Sequence, residues 1–386
     1  MTPEAPKRPR IAVLTSAHPY GDPRIFERDC TAFLEWGCEV HAFFLEHEPL
    51  QRRSWDAHPR FHLHCLPAAS GRLGRMLQAL RFDHVMAGEG AFDLVHFHDP
   101  ELIPAMILSA LKRPGTYHLY DVHEELPVDV ASKPWLPSGL RCPVARLTGW
   151  LWKLAAGVLD GFAPATEAIA LWWPAAQTRV VRNYPKGLFD LGDPLPPDPD
   201  RVVVAGSLTR GRGILELLAA MAIARETRPS LRLEVYGRIS EPELEGPLAA
   251  AVAAGWCTHA GFLPQDELAR RLRGAGIGTC LLRPQPNYLE SLPTKFFEYM
   301  ALGVPILASD FPFWEAMVEG CGAGRRVAPE PRAIAGAILS MAADPEALAA
   351  CGRAGRDAYL SRYRWEVEAR SLAWHAQRAG LALDLA

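Results

Sequence analysis

No apolar run in the chain reaches the roughly 20 residues that cross a bilayer. The nearest candidate, 149–176, is broken by Lys153, Asp160 and Glu167. The basic stretch Lys7, Arg8, Arg10 is followed by too few apolar residues before His18 to make a secretory leader. No C-x-x-C pair occurs among the cysteines at 30, 38, 65, 142, 257, 280, 321 and 351, so they read as reduced thiols of a cytoplasmic protein. Charge of one sign is missing as well: 41 Lys+Arg face 44 Asp+Glu, a net charge of -3. That excludes the strongly basic footprint of a nucleic-acid binder. Internal repeats of solenoid type are absent. The one Asp-x-Asp, Asp198-Pro-Asp200, lies in a proline-rich stretch, which is a poor place for a catalytic metal ion.

What is present is apolar residue in quantity, 49% of the chain, enough for a sizeable core. Strand-like runs alternate with longer amphipathic segments. Strands are expected at 10–16, 39–44, 61–66, 93–97, 116–122, 160–163 and 179–182, with a helix over 24–36 stopped at Gly37. The segment Gly192–Asp200 holds four prolines in nine residues and reads as a stiff linker. The rhythm then restarts with strands at 201–205, 231–236, 276–280 and 304–308. This predicts an α/β protein of two doubly wound, Rossmann-like domains facing across a cleft. The expected division is 1–184, a hinge at 185–200, and 201–363, with a last helix in 364–386 packing back on the first domain.

Two strand-to-helix loops have the chemistry of an anion site. The first is Gly206-Ser-Leu-Thr-Arg-Gly-Arg-Gly213, where glycines allow close approach and Arg210 and Arg212 supply guanidinium donors. The second is Glu290-Ser-Leu-Pro-Thr-Lys-Phe-Phe-Glu298. Pro293 fits the first helical position, Thr294 and Lys295 the first turn, and Glu298 shares their face. Cation and N–H groups suit a diphosphate, and a carboxylate suits ribose hydroxyls. In the first half, His123 follows the strand 116–122, and His98 and Asp99 end another strand. Asp22 and Arg24 lie on the first strand-to-helix loop. The pairs His62/His64 and His96/His98 each share a strand face. The spacings around neither pair build a tetrahedral ligand set, so no metal is expected.

The segment Asn287–Pro305 closely resembles the donor-site region of glycosyltransferase family 4, retaining enzymes of GT-B fold. Ala205–Gly213 is similar to that family's first donor loop. His18–Phe26, Phe92–Glu101, Asp121–Glu124 and Val180–Tyr184 resemble its remaining motifs in the right order. The resemblance implies that Arg212, with Lys295 and Thr294, holds the diphosphate of a UDP- or GDP-linked sugar. It implies that Glu298 binds ribose and that His123 reaches the donor sugar. Gly206 and Ser207 stand in the first donor loop, where the family often carries a basic residue at the Ser207 position and Arg210 is the nearest substitute. Glu290, eight residues before Glu298, takes the place of a paired glutamate. On the acceptor side the resemblance points to Asp22, Arg24, His98, Asp99 and Glu124. The implied activity is metal-independent, cofactor-free transfer of a sugar to a hydroxyl of a glycan, lipid-linked or small-molecule acceptor. The alternatives are a nucleotide-sugar epimerase of the same fold and a non-catalytic nucleotide-sugar-binding scaffold subunit. Trp135, Trp150, Trp152, Trp172 and Trp173, interspersed with Arg141, Arg146 and Lys153, read either as amphipathic core helices or as a peripheral membrane face.

Overall fold

The computed structural model describes residues 8–46, 53–67, 71–123, 138–187, 189 and 191–385. By internal packing these fall into two units, Met1–Asn183 with Glu368–Ala386, and Tyr184–Val367.

The first unit carries a six-stranded sheet of β1 (Arg10–Thr15), β2 (Glu39–Leu45), β3 (Phe61–Leu66), β4 (Leu94–Phe97), β5 (Tyr117–Val122) and β6 (Gly161–Pro164). All pairings are parallel, in the order β3-β2-β1-β4-β5-β6. Helices cover parallel sheets on both faces, which is why the central strands are continuous apolar runs. In β1 every residue after Arg10 is buried. Phe97 stacks on Tyr120 at 4.8 Å and Phe162 on Trp173 at 4.2 Å. The chain end joins this unit: Glu368 Oε1 accepts from the Arg182 N–H at 3.0 Å, and the Asp384 N–H donates to the Trp36 carbonyl at 3.2 Å.

The second unit repeats the plan with β7 (Asp198–Ala205), β8 (Arg232–Tyr236), β9 (Cys257–His259), β10 (Ala275–Cys280), β11 (Ile306–Ser309) and β12 (Gly324–Val327). Their order is β12-β11-β10-β7-β8-β9, again parallel throughout. In each sheet the winding direction reverses once, at β1/β4 and at β7/β10. Open α/β sheets take ligands outside the carboxyl ends of the strands at such a reversal.

Several boundaries differ from expectation. Segment 179–182 forms no strand; it follows β6 through two bonds, Arg179 N–H to Phe162 O and Val181 N–H to Pro164 O. Strands β9 and β12 were not expected, because one is three residues long and the other carries Arg325 and Arg326. Strand β7 starts at Asp198 rather than Arg201. Asp198 and Asp200 therefore sit in the strand, ion-paired with Arg232 and Arg228. Pro199 is tolerated there because the β10 register slips between Ala275 and Ile277. The first helix opens as a wide, π-type turn over Pro23–Cys30 before Thr31–Glu35.

Candidate active site

In the second unit, Gly206 leaves β7 at φ +106, a conformation that favours glycine. A Cβ on Gly206 would lie 2.7 Å from Lys295 Cε, 3.0 Å from Lys295 Nζ and 3.4 Å from an Arg212 guanidinium nitrogen. Two cations from distant segments thus lie together over one stretch of bare backbone. Gly213, at φ +68, lets the loop return against β10; a Cβ there would lie 1.9 Å from the Leu281 carbonyl oxygen. The loop's outer side is tied by Ser207 Oγ to Ser240 Oγ at 2.7 Å, and by the Arg210 N–H donating to Glu241 Oε2 at 2.9 Å.

Lys295 belongs to the helix Thr294–Leu302, where Pro293 is the N-cap and not the first helical residue as expected. Thr294 and Lys295 are therefore the first two helical positions. Their N–H groups precede the first backbone bond of the turn, Phe296 N–H to Pro293 O. The helix buries Phe296, Phe297, Tyr299, Met300, Ala301 and Leu302 and leaves Thr294, Lys295 and Glu298 half-buried on its other side. Phe296 packs edge-on to Trp314 at 4.9 Å, which fixes the helix without using its polar face. Burial pulls the Lys295 ammonium below its ordinary pKa; Arg212 pulls the same way, against Cys280 and Glu298. Like charges held together with partial desolvation are relieved when an anion arrives. Glu290 is exposed, at the end of the short helix Pro286–Leu289.

In the first unit the sheet reversal is sealed by Asp99. Its Oδ2 accepts from Thr15 Oγ1 at 2.7 Å, from the Ser16 N–H at 2.6 Å and from the Ala17 N–H at 3.1 Å. Its Oδ1 lies 3.0 Å from His18 Nδ1. Burial alone would lower the His18 pKa, but the Asp99 hydrogen bond and charge, with the charges of Asp22 and Asp121, together outweigh it and raise it to about 9. Asp99 is held well below the usual carboxylate range, against its own burial, chiefly by His18 and Thr15. Beside this imidazolium, at 5.4 Å between ring centroids, stands His123, with 23% of its side chain exposed. Burial pushes His123 down to about 3, with Asp121 opposing. His123 is therefore neutral at physiological pH, a hydrogen-bonding group and not a cation.

Arg24 was expected on an exposed loop, and the structure corrects this. It is 5% exposed, donating from Nε to Asp121 Oδ2 at 2.8 Å and from Nη2 to Asp121 Oδ1 at 2.5 Å and Val181 O at 3.0 Å. Asp22 caps the first helix, accepting from the Arg24 and Ile25 N–H groups at 2.9 and 3.2 Å. His98 and Asp99 are buried. Arg24, His98 and Asp99 thus lie beneath the surface, while Asp22 is half-buried at the helix start. Glu124 lies outside the described residues, as does Trp135. Sequence spacing also missed that histidines find acidic partners from afar. Asp29, His96, His98 and Asp121 converge, as do Glu39, His41 and His62, and His41, His64 and Glu89. Asp121 had one available signal, its place two residues before His123 on the same strand edge. Asp29 had none, being brought in by the first helix. The tryptophans divide: Trp152 and Trp173 are core residues, while Trp150 and Trp172 are 59% and 47% exposed.

Residues 192–358 match the family described as glycosyl transferases group 1. A D-inositol 3-phosphate glycosyltransferase of Segniliparus rotundus is 32% identical over 183 residues, 45% of this chain and 39% of that protein. The match thus spans well under half of the curated relative's length. Among solved structures, a sucrose-phosphate synthase from Thermosynechococcus elongatus superposes with a TM-score of 0.73 at 20% identity, covering 96% of this chain and 99% of that one. HepE from Anabaena in complex with UDP and glucose superposes with a TM-score of 0.68 at 14% identity, covering 96% and 100%. The fold is GT-B, two six-stranded Rossmann-like sheets.

Proposed function

We propose that this chain is a retaining, family 4-type glycosyltransferase. It moves a sugar from a UDP- or GDP-linked donor to a hydroxyl of a glycan, lipid-linked or small-molecule acceptor, with no metal on the diphosphate. The observation that carries this is the meeting of Lys295 and Arg212 over Gly206 at the carboxyl end of β7. The group 1 match over the same unit supports it, as does the glycosyltransferase activity named for the curated relative. Arg212, Lys295 and the Thr294 helix start hold the diphosphate, with Gly206, Ser207 and Arg210 shaping the loop around it. Glu298 takes the ribose hydroxyls, and Glu290 stands at the outer edge. Neutral His123 serves as a hydrogen-bonding partner for the donor sugar.

The sequence offers no clear carboxylate nucleophile, and the family resemblance implies that the acceptor oxygen attacks on the leaving-group face. The bond from the sugar's anomeric carbon to the phosphate oxygen breaks, the bond to the acceptor oxygen forms, and the acceptor proton passes to the departing phosphate. The developing charge falls to Arg212 and Lys295, fixed electrostatics in a partly desolvated place.

Thermal unfolding with UDP, GDP and ADP at matched concentrations tests the donor site. A nucleotide at 100 times its dissociation constant stabilises by about 2.7 kcal/mol. At roughly 2–4 °C per kcal/mol that is a rise of several degrees. One nucleotide should raise the wild-type Tm, and Arg212→Ala should abolish the response. Absence of any shift in wild type with all three would sink the donor assignment.

A lipid-linked acceptor at the inner membrane face is favoured by the helix Ser138–Val158. It has no carboxylate and exposes Leu147, Trp150 and Leu154 on one face beside exposed Arg146 and Lys153. The chain should float with anionic phospholipid vesicles, and Trp150→Ala with Leu147→Ala should reduce the floating fraction several-fold. A wild type that does not float would point to a water-soluble acceptor, and equal flotation of both proteins would place the membrane contact away from this helix.

A further inference from the structure

His96 lies on β4 and His98 just beyond it, both 1% exposed. Their rings face each other at 4.5 Å between centroids. Neither nitrogen of His96 makes a hydrogen bond, His98 has only the 3.1 Å approach of its Nδ1 to Asp121 Oδ2 and none at Nε2, and Asp29 Oδ1, on a residue also 1% exposed, makes none. A buried imidazole nitrogen without a partner forfeits a hydrogen bond, so three such nitrogens facing one carboxylate cluster call for an explanation. The geometry around them is ordered. His96 Nδ1 and His98 Nε2 face Asp29 Oδ2 at 4.0 and 3.9 Å. The opposite nitrogens, His96 Nε2 and His98 Nδ1, face Asp121 Oδ2 at 3.9 and 3.1 Å.

We propose that Asp29, His96 and His98 bind a buried divalent transition-metal ion of the zinc class, with Asp121 orienting both imidazoles from behind. Tetrahedral zinc with bonds of about 2.0–2.1 Å places its ligand atoms roughly 3.3 Å apart, so each ligand need move only a few tenths of an ångström. Metal-bound imidazoles give their second N–H to a carboxylate, and Asp121 is placed to receive both. Arg24 neutralises and anchors Asp121 with two bonds, at 2.8 and 2.5 Å. Two imidazoles and one carboxylate suit zinc better than magnesium or calcium, which take oxygen ligands. The ion ties the first helix, which carries Asp29, to the end of β4. It takes no part in the proposed transfer and includes no diphosphate residue, so it stands or falls separately. The two other histidine groups share His41, whose Nε2 is 3.0 Å from the Arg10 guanidinium. A cation already fills that place, and these groups serve as controls.

The test uses the full chain without a histidine tag, stripped with a chelator and titrated with Zn²⁺ or Co²⁺. Expected is about one ion per chain, with the visible bands of low-coordinate cobalt and no thiolate charge-transfer band. Asp29→Asn with His98→Gln should lose the ion, Asp121→Asn should weaken binding by about 10–100-fold, and His62→Ala should change nothing. Wild type that takes up no metal, a thiolate band, or full retention by the Asp29→Asn/His98→Gln protein each overturns the site. Should that double variant fail to fold, the wild-type cobalt spectrum and the Asp121→Asn affinity decide.

Discussion

Lys295→Ala is expected to lower turnover by about 10²–10³-fold, the usual cost of removing one preorganised group from a developing oxyanion. The ammonium sits at the start of the helix Thr294–Leu302, half-buried and beside Arg212 over Gly206. A cation so placed gains most when negative charge grows on the departing diphosphate, because water is partly excluded from the contact. The fold should survive, since Phe296, Phe297 and Tyr299 hold the helix through its other face. Arginine should not rescue. Lys295 Cε and Nζ already lie 2.7 and 3.0 Å from where a Cβ on Gly206 would be, and a planar guanidinium has no room to replace a compact ammonium there. Steady-state kinetics with the identified nucleotide sugar would check this. A loss in kcat places the contact in the transition state, and a rise in KM alone means that donor and transition state are held equally. Turnover near wild type would remove Lys295 from the mechanism.

The donor loops were legible in the sequence because their information is local. A strand, a glycine-rich turn and a helix start follow one another at 201–214, and at 290–298 Pro293 marks a helix start that carries Thr294, Lys295 and Glu298. Local pattern could not show that Lys295 would come to rest on Gly206, because that depends on the parallel pairing of β7 with β10. In the first unit the limits were sharper. Arg24 reads as a loop cation, yet it is buried by a partner 97 residues away on β5. The acidic partners of His96 and His98 are likewise supplied by the first helix and by β5, so spacing along the chain carried no trace of them. Edge strand β12 escaped because an edge tolerates polar residues that a central strand excludes. Helical phase explains the tryptophans: residues 150 and 152 point about 200° apart on one helix, so composition could not say which was core.

Arg24→Met should cost about 3–5 kcal/mol of stability, because it strands the Asp121 carboxylate in the interior. At roughly 2–4 °C per kcal/mol that lowers Tm by about 6–20 °C. Asp121 is buried, which by itself would raise its pKa; Arg24, joined by His123 and His98, outweighs burial and holds the carboxyl well below its ordinary range. Without the guanidinium its oxygens face only imidazoles, and the Val181 carbonyl also loses a 3.0 Å donor. The double variant Arg24→Met/Asp121→Leu should recover much of the loss, since removing both partners leaves no uncompensated charge. Urea denaturation of wild type, Arg24→Met, Asp121→Leu and the double variant measures the coupling. If Arg24→Met is as stable as wild type, the pair is not the buried ion pair described. Transfer should not follow stability: Asp121 Oδ2 lies 3.8 Å from His123 Nε2, and leucine cannot steer that ring. A double variant that folds like wild type but transfers poorly would therefore assign Asp121 to holding His123 and not only to holding the sheet. Equal recovery of both would make the pair structural alone.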